Sequence, residues 1–269
     1  MTRAEKKSLG VRAASRLAVG LCSAALFSTT FGATLFAETQ NRYDSEIQNA
    51  VAQKLAKKSQ LRDVKANVED GIVTLTGSVD LYQRELDAAK LARKTAHVQG
   101  VRNQMTVAGA NVPDAQLENK LARQMSFVRV GYDNTFDHFA LDVKDGVVTI
   151  EGQDRTGMGR DEALADIANT PGVKDVIDNV SVEPVSGFDD ALRLRALRAI
   201  YRDSVLGKYA MDPARPIRII VDNGHVTLYG TVESTMDRQI AGLRANGIPG
   251  AFSVENKLQV AGSNNQQGL

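Results

Sequence analysis

The chain has 269 residues, of which 43% are hydrophobic and 24% charged, a composition that excludes a disordered or fibrous protein. Aromatic residues make up 5% and tryptophan is absent, which favours several compact units over one deep core. With 33 basic and 32 acidic residues, the formal net charge is only +1.

The N-terminal segment, residues 1–37, has the pattern of a secretory signal peptide. Five basic residues precede an uncharged run from Leu17 to Ala37, and the segment ends on a small residue. We predict cleavage after Ala37, with a cut after Ala33 as an alternative. A retained N-terminal anchor is the other interpretation, because the 21 uncharged residues are enough to span a bilayer. The predicted location is periplasmic or secreted, with membrane association left open.

Processing of this leader would change the chemistry of the chain. It would remove the one cysteine, Cys22, and with it any disulfide, thiolate nucleophile or cysteine ligand. The bulky Leu21 before that cysteine argues against lipidation. With five basic residues and one acidic residue removed, 28 basic and 31 acidic residues remain, a net charge of about −3 that does not support a broad nucleic-acid surface.

Three hairpin signals recur along the rest of the chain, each between two runs of alternating apolar residues, which is typical of paired antiparallel strands. They are Asp70-Gly71, Asp145-Gly146 and Asn223-Gly224. A second glycine follows each hairpin glycine by six residues, at Gly77, Gly152 and Gly230. The second and third copies are offset from the first by 75 and 153 residues without gaps, and Asn103 then falls on Asp178 and Asn256. We interpret these glycines and asparagines as structural positions of a repeat, the later glycines allowing close approach of a helix.

Helices are predicted on both sides of each hairpin. Residues 80–97, 155–171 and 233–249 each have room for one helix, and Met236, Ile240 and Leu243 give the helical spacing in the third. Before the hairpins, apolar residues recur every four positions. These are Ile47, Val51 and Leu55; Leu117, Leu121 and Met125; and either Leu197, Tyr201 and Val205 or Leu192, Ala196 and Ile200. Asp44, Asp114 and Asp189 lie near the helix starts, where we predict that they cap free amides.

The predicted fold is therefore α+β, with three tandem αββαβ modules, each a three-stranded mixed sheet covered by two helices. The predicted modules cover residues 41–109, 113–184 and 188–261. The polar tail, residues 262–269, is predicted to be disordered.

This order of elements resembles the BON domain. The matching segments are Val64–Val79 with Val98–Val107, Phe139–Asp154 with Val173–Val182, and Ile217–Val232 with Ala251–Val260. The second copy departs from the pattern at Asp154, where valine is expected, and at Asp178, where asparagine is expected. The first has His97 in place of a glycine. The resemblance implies a non-catalytic envelope module, with phospholipid binding and roles in osmotic or envelope stress and in handling outer-membrane proteins.

No residue pattern indicates catalysis, a metal or a cofactor. His97, His138 and His225 occupy different positions in their repeats, without metal-ligand spacing. Gly157-Met158-Gly159 lacks the third glycine and the βαβ context of a phosphate loop, so we interpret it as a flexible helix entry. The chain is predicted not to be an enzyme.

One helix carries a candidate membrane-binding surface. Arg195, Arg198 and Arg202 lie within about 60° of one another at the helical period, and guanidinium groups bind phosphates. The alternative is a solvated face balanced by acidic neighbours, Asp189, Asp190 and Asp203. A second basic cluster comprises Arg84, Lys90, Arg93 and Lys94, where interleaved Glu85 and Asp87 favour an ordinary charged surface.

Two functions remain open from the sequence. One is a periplasmic or envelope protein that binds anionic phospholipid membranes. The other is a chaperone-like protein or adaptor that binds envelope protein clients. The oligomeric state is not predicted.

Overall fold

The computed structural model describes residues 33–128, 135–212 and 215–262. The predicted leader lies almost wholly outside these residues, as does the tail from residue 263. The described residues from Gln40 onward belong to one compact unit, and its three modules are numbered in chain order.

The elements follow the predicted order. Module 1 comprises α1 (Ala33–Ala56), a 3-10 turn (Ser59–Leu61), β1 (Lys65–Glu69), β2 (Ile72–Val79), α2 (Tyr82–Arg93) and β3 (Gly100–Val107). Module 2 comprises α3 (Asp114–Val128), β4 (His138–Lys144), β5 (Val147–Asp154), α4 (Met158–Ala168) and β6 (Asp175–Val182). Module 3 comprises α5 (Gly187–Tyr201), α6 (Lys208–Met211), β7 (Arg218–Asp222), β8 (His225–Tyr229), β9 (Thr231–Val232), α7 (Thr235–Asn246), β10 (Ser253–Asn256) and β11 (Gln259–Val260).

Each module is built on a three-stranded mixed sheet. The second strand lies in the middle, antiparallel to the first and parallel to the third. The predicted α+β fold is confirmed. Module 3 differs in two details, because its parallel ladder is interrupted and continues as β9 with β11, and because it contains the additional short helix α6.

The hairpin glycines make the turns that their sequence predicts. Asp70 and Gly71 have φ values of 52° and 75°, and the other two turns likewise have two consecutive positive φ values. The later glycines have a different neighbour from the one predicted. A Cβ at Gly77 would overlap the carbonyl oxygen of Asp63, just before β1, and one at Gly230 would lie 2.7 Å from that of Pro216. The close approach is therefore to the backbone at or just before the start of the neighbouring strand, not to a helix.

Each module has its own apolar core between its helices and its sheet. Of the two alternatives for α5, Leu192, Ala196 and Ile200 are the buried set. The apolar face predicted for α7 is wrong, because Met236 and Leu243 are exposed. Small residues form the contact there, as they do in α2, since they let a helix approach the sheet closely. In α7 they are Ala241 and Ala245, and in α2 they are Ala88, Ala89 and Ala92.

The three predicted capping carboxylates contact the hairpin turns. Asp114 accepts hydrogen bonds from the backbone N–H groups of Asp145 and Gly146, at 2.8 and 3.0 Å. Asp189 accepts one of 2.8 Å from Gly224. The cap of α5 is instead the Ser186 hydroxyl, which accepts from the N–H of Asp189 at 3.2 Å.

Candidate functional site

Four side chains follow one side of helix α5, and we call this surface the α5 stripe. At 100° per residue, Phe188 lies about 20° from Arg195, and Arg198 and Arg202 follow on the same side. Phe188 is 46% exposed. Arg198 and Arg202 are exposed, whereas Arg195 is half-buried. The three arginines thus lie on one surface, as their spacing predicts. The prediction did not include Phe188, the aromatic residue at the N-terminal end of this surface.

A second aromatic ring extends the N-terminal end of the α5 stripe. Phe252, which is 71% exposed, stacks on Phe188 with a distance of 5.6 Å between the ring centroids. A Cβ at Gly250 would lie 3.1 Å from Nη2 of Arg195 and 3.9 Å from Cζ of Phe188. One guanidinium and two phenyl rings therefore meet at the hairpin end of module 3.

The acidic residues expected to balance the arginines are engaged elsewhere. Asp189 binds the hairpin amide of Gly224. Asp190 accepts from Arg155 at 3.1 Å and from Arg193 at 2.8 Å. Asp203 accepts from Nε of Arg244 at 2.7 Å.

The two outer arginines consequently keep their charge uncompensated. Within the described ranges, neither Arg198 nor Arg202 forms an ion pair. The positive potential of the α5 stripe is therefore open to an external anion.

The aromatic pair is particular to module 3. At the repeat offsets, Phe252 corresponds to Gln99 and Lys174, which occupy the same place beside the hairpin glycines of modules 1 and 2. The fold therefore accepts polar residues at this position. A phenylalanine at a position that is polar in the other two modules is the sequence signal that points to Phe252.

Modules 2 and 3 share a joint that contains a buried ion pair. Glu183, just after β6, pairs with Arg193 of α5, and their side chains are 5% and 4% exposed. Arg193 also donates to the carbonyl oxygen of Val221 at 2.7 Å. Burial raises the pKa of Glu183 to about 7, an effect that the guanidinium of Arg193 opposes without cancelling. Because the pair links β6 to α5, it fixes the helix that carries the α5 stripe.

An aromatic contact completes this joint. His138 stacks on Tyr229 at 3.9 Å between centroids, and Phe136 of the preceding segment is buried in the core of module 3. Burial, together with the charges of Arg218 and Lys257, lowers the pKa of His138 to about 4. The imidazole is therefore neutral at pH 7.

The histidines lie at three separate places. His97 stacks on Tyr43 at 4.2 Å, and Nδ1 of His225 lies 2.6 Å from the Ser253 hydroxyl. In the parts of the chain that the structure describes, no group of three or more histidine, cysteine or acidic side chains is arranged to hold a metal. Gly157 has a φ of 78° and precedes α4, in agreement with a helix entry.

The repeated asparagine ties the last strand to a helix in each module. Asn103 donates to Glu85 of α2, and Asn256 donates to the carbonyl oxygen of Arg238 in α7 at 2.7 Å. In module 2 the pair has the opposite polarity, because Nε of Arg160 donates to Asp178 at 2.7 Å. The departure at Asp178 is thus matched by a change in its helical partner.

Comparisons with known proteins give one informative match. No curated protein matches the chain. Among the described residues, no helix has both the length and the apolar character needed to cross a membrane.

Solved structures with some likeness come from type III secretion systems. CdsD of Chlamydia trachomatis is 13% identical, with 80% of this chain and 92% of that chain covered, at a TM-score of 0.23. The periplasmic domain of PrgH from S. typhimurium is 9% identical, with 77% and 97% covered, at a TM-score of 0.18. Scores this low carry no argument about fold or function.

The family model of the BON domain matches three segments of the chain. They are residues 43–109, 113–184 and 199–262, which together make up most of its length. Their number and order agree with the three modules of the structure. This protein belongs to the BON domain family.

Proposed function

We propose that this protein is a non-enzymatic envelope component that attaches peripherally to anionic phospholipid membranes through module 3. The observation that carries the proposal is the exposed pair Phe188 and Phe252 beside Arg195, at the end of a stripe with two further arginines. Phospholipid binding is also what the resemblance to BON domains implies.

The physical basis is the combination of the two kinds of group. Exposed aromatic rings gain by transfer to the boundary between headgroups and acyl chains. Guanidinium groups near an anionic surface add about 1 kcal/mol each, and they bind phosphate oxygens bidentately. A stripe that has both supports attachment to the surface rather than insertion across the bilayer.

Co-sedimentation with vesicles tests the proposal. The purified protein is mixed with zwitterionic vesicles and with vesicles containing an anionic phospholipid, at low and moderate salt. We expect binding to the anionic vesicles only, weakened by salt because the attraction is screened. Arg198→Gln with Arg202→Gln should weaken binding by about tenfold or more, from about 1 kcal/mol per charge.

One further variant tests the aromatic contact, and a control tests whether the loss of any two exposed cations weakens binding. Phe252→Gln introduces the residue that module 1 has at this position, so we expect folding to be retained and vesicle binding to fall. The matched control is Lys120→Gln with Arg123→Gln, which removes two exposed cations from the corresponding helix of module 2. Equal losses in the control and the α5 variant, or no binding to anionic vesicles, would refute the proposed site.

A second candidate function, binding of envelope protein clients, rests on the outer face of α7. Met236 and Leu243 are 66% and 72% exposed there, and the unbranched side chain of methionine adapts to varied partners. In this case the protein without lipid suppresses client aggregation, and Met236→Gln with Leu243→Gln abolishes the suppression while leaving vesicle binding intact.

A further inference from the structure

Module 1 contains a cationic groove that plays no part in the surface of module 3. The groove lies between the 3-10 turn and α2 and has a volume of about 380 Å³. Four basic residues line it, with one acidic residue among them, so that its lining carries a net charge of +3. The basic residues are Lys58, Arg84, Lys90 and Lys94, and the acidic one is Asp87. We call it the α2 groove.

Most of the positive charge in the α2 groove is uncompensated. Nη1 of Arg84 lies 3.7 Å from Oδ2 of Asp87. The other carboxylate oxygen of Asp87 accepts a hydrogen bond from Gln83 at 2.9 Å. The three lysines form no ion pair in the part of the chain that the structure describes. Nε of Arg84 is buried without a hydrogen-bond partner among the described residues. The Arg84 side chain as a whole remains 30% exposed.

Gln60 and two leucines form the remaining walls of the groove. Leu61, which is 2% exposed, and the half-buried Leu91 contribute the apolar lining. At the end of α2, Nζ of Lys54 donates to Oγ1 of Thr95 at 2.9 Å and to the carbonyl oxygen of Lys94 at 3.4 Å. This contact ties α1 to the segment that bears Lys94.

The αββαβ fold does not require these cations. At the repeat offsets, Arg84 corresponds to Gly159 and Asp237, and Lys90 corresponds to Ala165 and Leu243. Glu85, whose neighbouring charge weakened the case for this cluster in the sequence, accepts from Asn103 of β3 and does not line the groove. The positive charge therefore belongs to module 1 alone and is open to a functional explanation.

We propose that the α2 groove binds a phosphate-bearing ligand, either a free phosphate ester or diphosphate or the phosphate of a lipid headgroup. A phosphomonoester carries between one and two negative charges at neutral pH and three acceptor oxygens, which suits several converging cations. The apolar lining accommodates a small organic substituent beside the phosphate. The groove lies in the volume range of small-ligand sites. This site is independent of the α5 stripe.

An NMR titration of the purified protein tests the site with two probes. The first is inorganic pyrophosphate, and the second is phosphatidylcholine vesicles with or without phosphatidic acid. We expect saturable shifts of the backbone amides of residues 58–61 and 82–94. Arg84→Gln with Lys90→Gln should weaken binding about tenfold by removing two charged partners.

The control is Lys65→Gln with Arg102→Gln, which removes two exposed cations of module 1 from strands outside the groove. It should change the affinity less than about twofold, as expected for screened surface charges. Saturable shifts with pyrophosphate indicate a free phosphate ligand. Changes only with phosphatidic acid vesicles, which persist in Arg198→Gln with Arg202→Gln and are lost in Arg84→Gln with Lys90→Gln, indicate a lipid headgroup in the α2 groove. No saturable shift with either probe, or an equal loss in the control, would overturn the proposal. Either result leaves vesicle binding through the α5 stripe to be judged separately.

Discussion

The carboxylate of Asp44 in α1 accepts a hydrogen bond of 2.8 Å from the backbone N–H of Gly71 in the hairpin turn of module 1. The corresponding Asp114 and Asp189 make the same kind of contact in modules 2 and 3. Each opening helix is thereby tied to the hairpin of its own sheet. Tight turns leave N–H groups without partners in the strand ladder, and a carboxylate binds them strongly.

We predict that Asp189→Ala destabilises module 3 by about 1–3 kcal/mol, because it leaves a buried amide without an acceptor. The loss should exceed that of Asp44→Ala, since Asp189 is 3% exposed and the Asp44 contacts are partly open to solvent. Hydrogen exchange of the Gly224 and Gly71 amides measures the effect in each module. Glu46→Gln, an exposed change on α1, should leave both amides protected, and equal protection in all variants would contradict the prediction.

Replacing Asp154 by valine should be harmful even though valine occupies the corresponding positions, Val79 and Val232. Asp154 is fully buried and accepts hydrogen bonds from the backbone of Arg160 at 2.7 Å and of Thr156 at 3.3 Å, at the start of α4. Loss of such a cap costs about 0.5–2 kcal/mol.

Urea denaturation should show this loss in Asp154→Val and a smaller one in Asp154→Asn, which keeps an acceptor oxygen. A gain in stability for the valine variant would show instead that the apolar contact of the other repeats dominates at this position.

The ion pair at the joint should make stability depend on pH. The pKa of Glu183 in the folded protein, about 7, is above its ordinary value of 4.5. The folded state therefore holds the proton of Glu183 more tightly than the unfolded state does. The contribution of this proton to the stability of the fold is fully present below pH 4.5 and is lost as the pH rises through 7. The free energy of unfolding of the unchanged protein should fall between pH 5 and pH 8. In Glu183→Gln this fall should be smaller by about 1–2 kcal/mol. An identical pH profile in the variant would contradict the assignment.

His138 should have the opposite effect over part of the same range. Its pKa in the folded protein, about 4, is below the ordinary 6.5. The contribution of neutral His138 to the stability of the fold is therefore present above pH 6.5 and is lost as the pH falls through 4. His138→Phe keeps a ring against Tyr229 but cannot titrate. It should therefore reduce the loss of stability on acidification by about 1–2 kcal/mol. This is less than the full pKa shift implies, because the imidazole is partly exposed to solvent. Thermal unfolding between pH 7 and pH 4, alone and combined with Glu183→Gln, separates the two groups.

The repeat and its hairpins were predictable because they depend on local chemistry. Asp70 and Gly71 specify a turn with two positive φ values, and alternating apolar residues specify the faces of the strands beside it. Helical periodicity was less decisive. Met236 and Leu243 have the spacing of a core face but lie on the surface, because Ala241 and Ala245 allow closer packing against the sheet.

The candidate site was predictable only in part. The spacing of Arg195, Arg198 and Arg202 places them on one side of α5 wherever that helix lies. The aromatic pair was not predictable, because Phe188 and Phe252 are 64 residues apart and meet only when α5 packs beside the start of β10.

The sequence by itself determined three modules, their hairpins and the order of helices and strands along the chain, since turn chemistry and periodicity act over a few residues. The tertiary structure alone decided where the charges are compensated. Asp190 and Asp203 pair with Arg155 and Arg244, leaving the arginine stripe open, and the turn before β1 closes the α2 groove around Arg84. The reason is that Coulomb and hydrogen-bond energies depend on distances between elements, which the packing of helices on sheets sets and linear spacing does not.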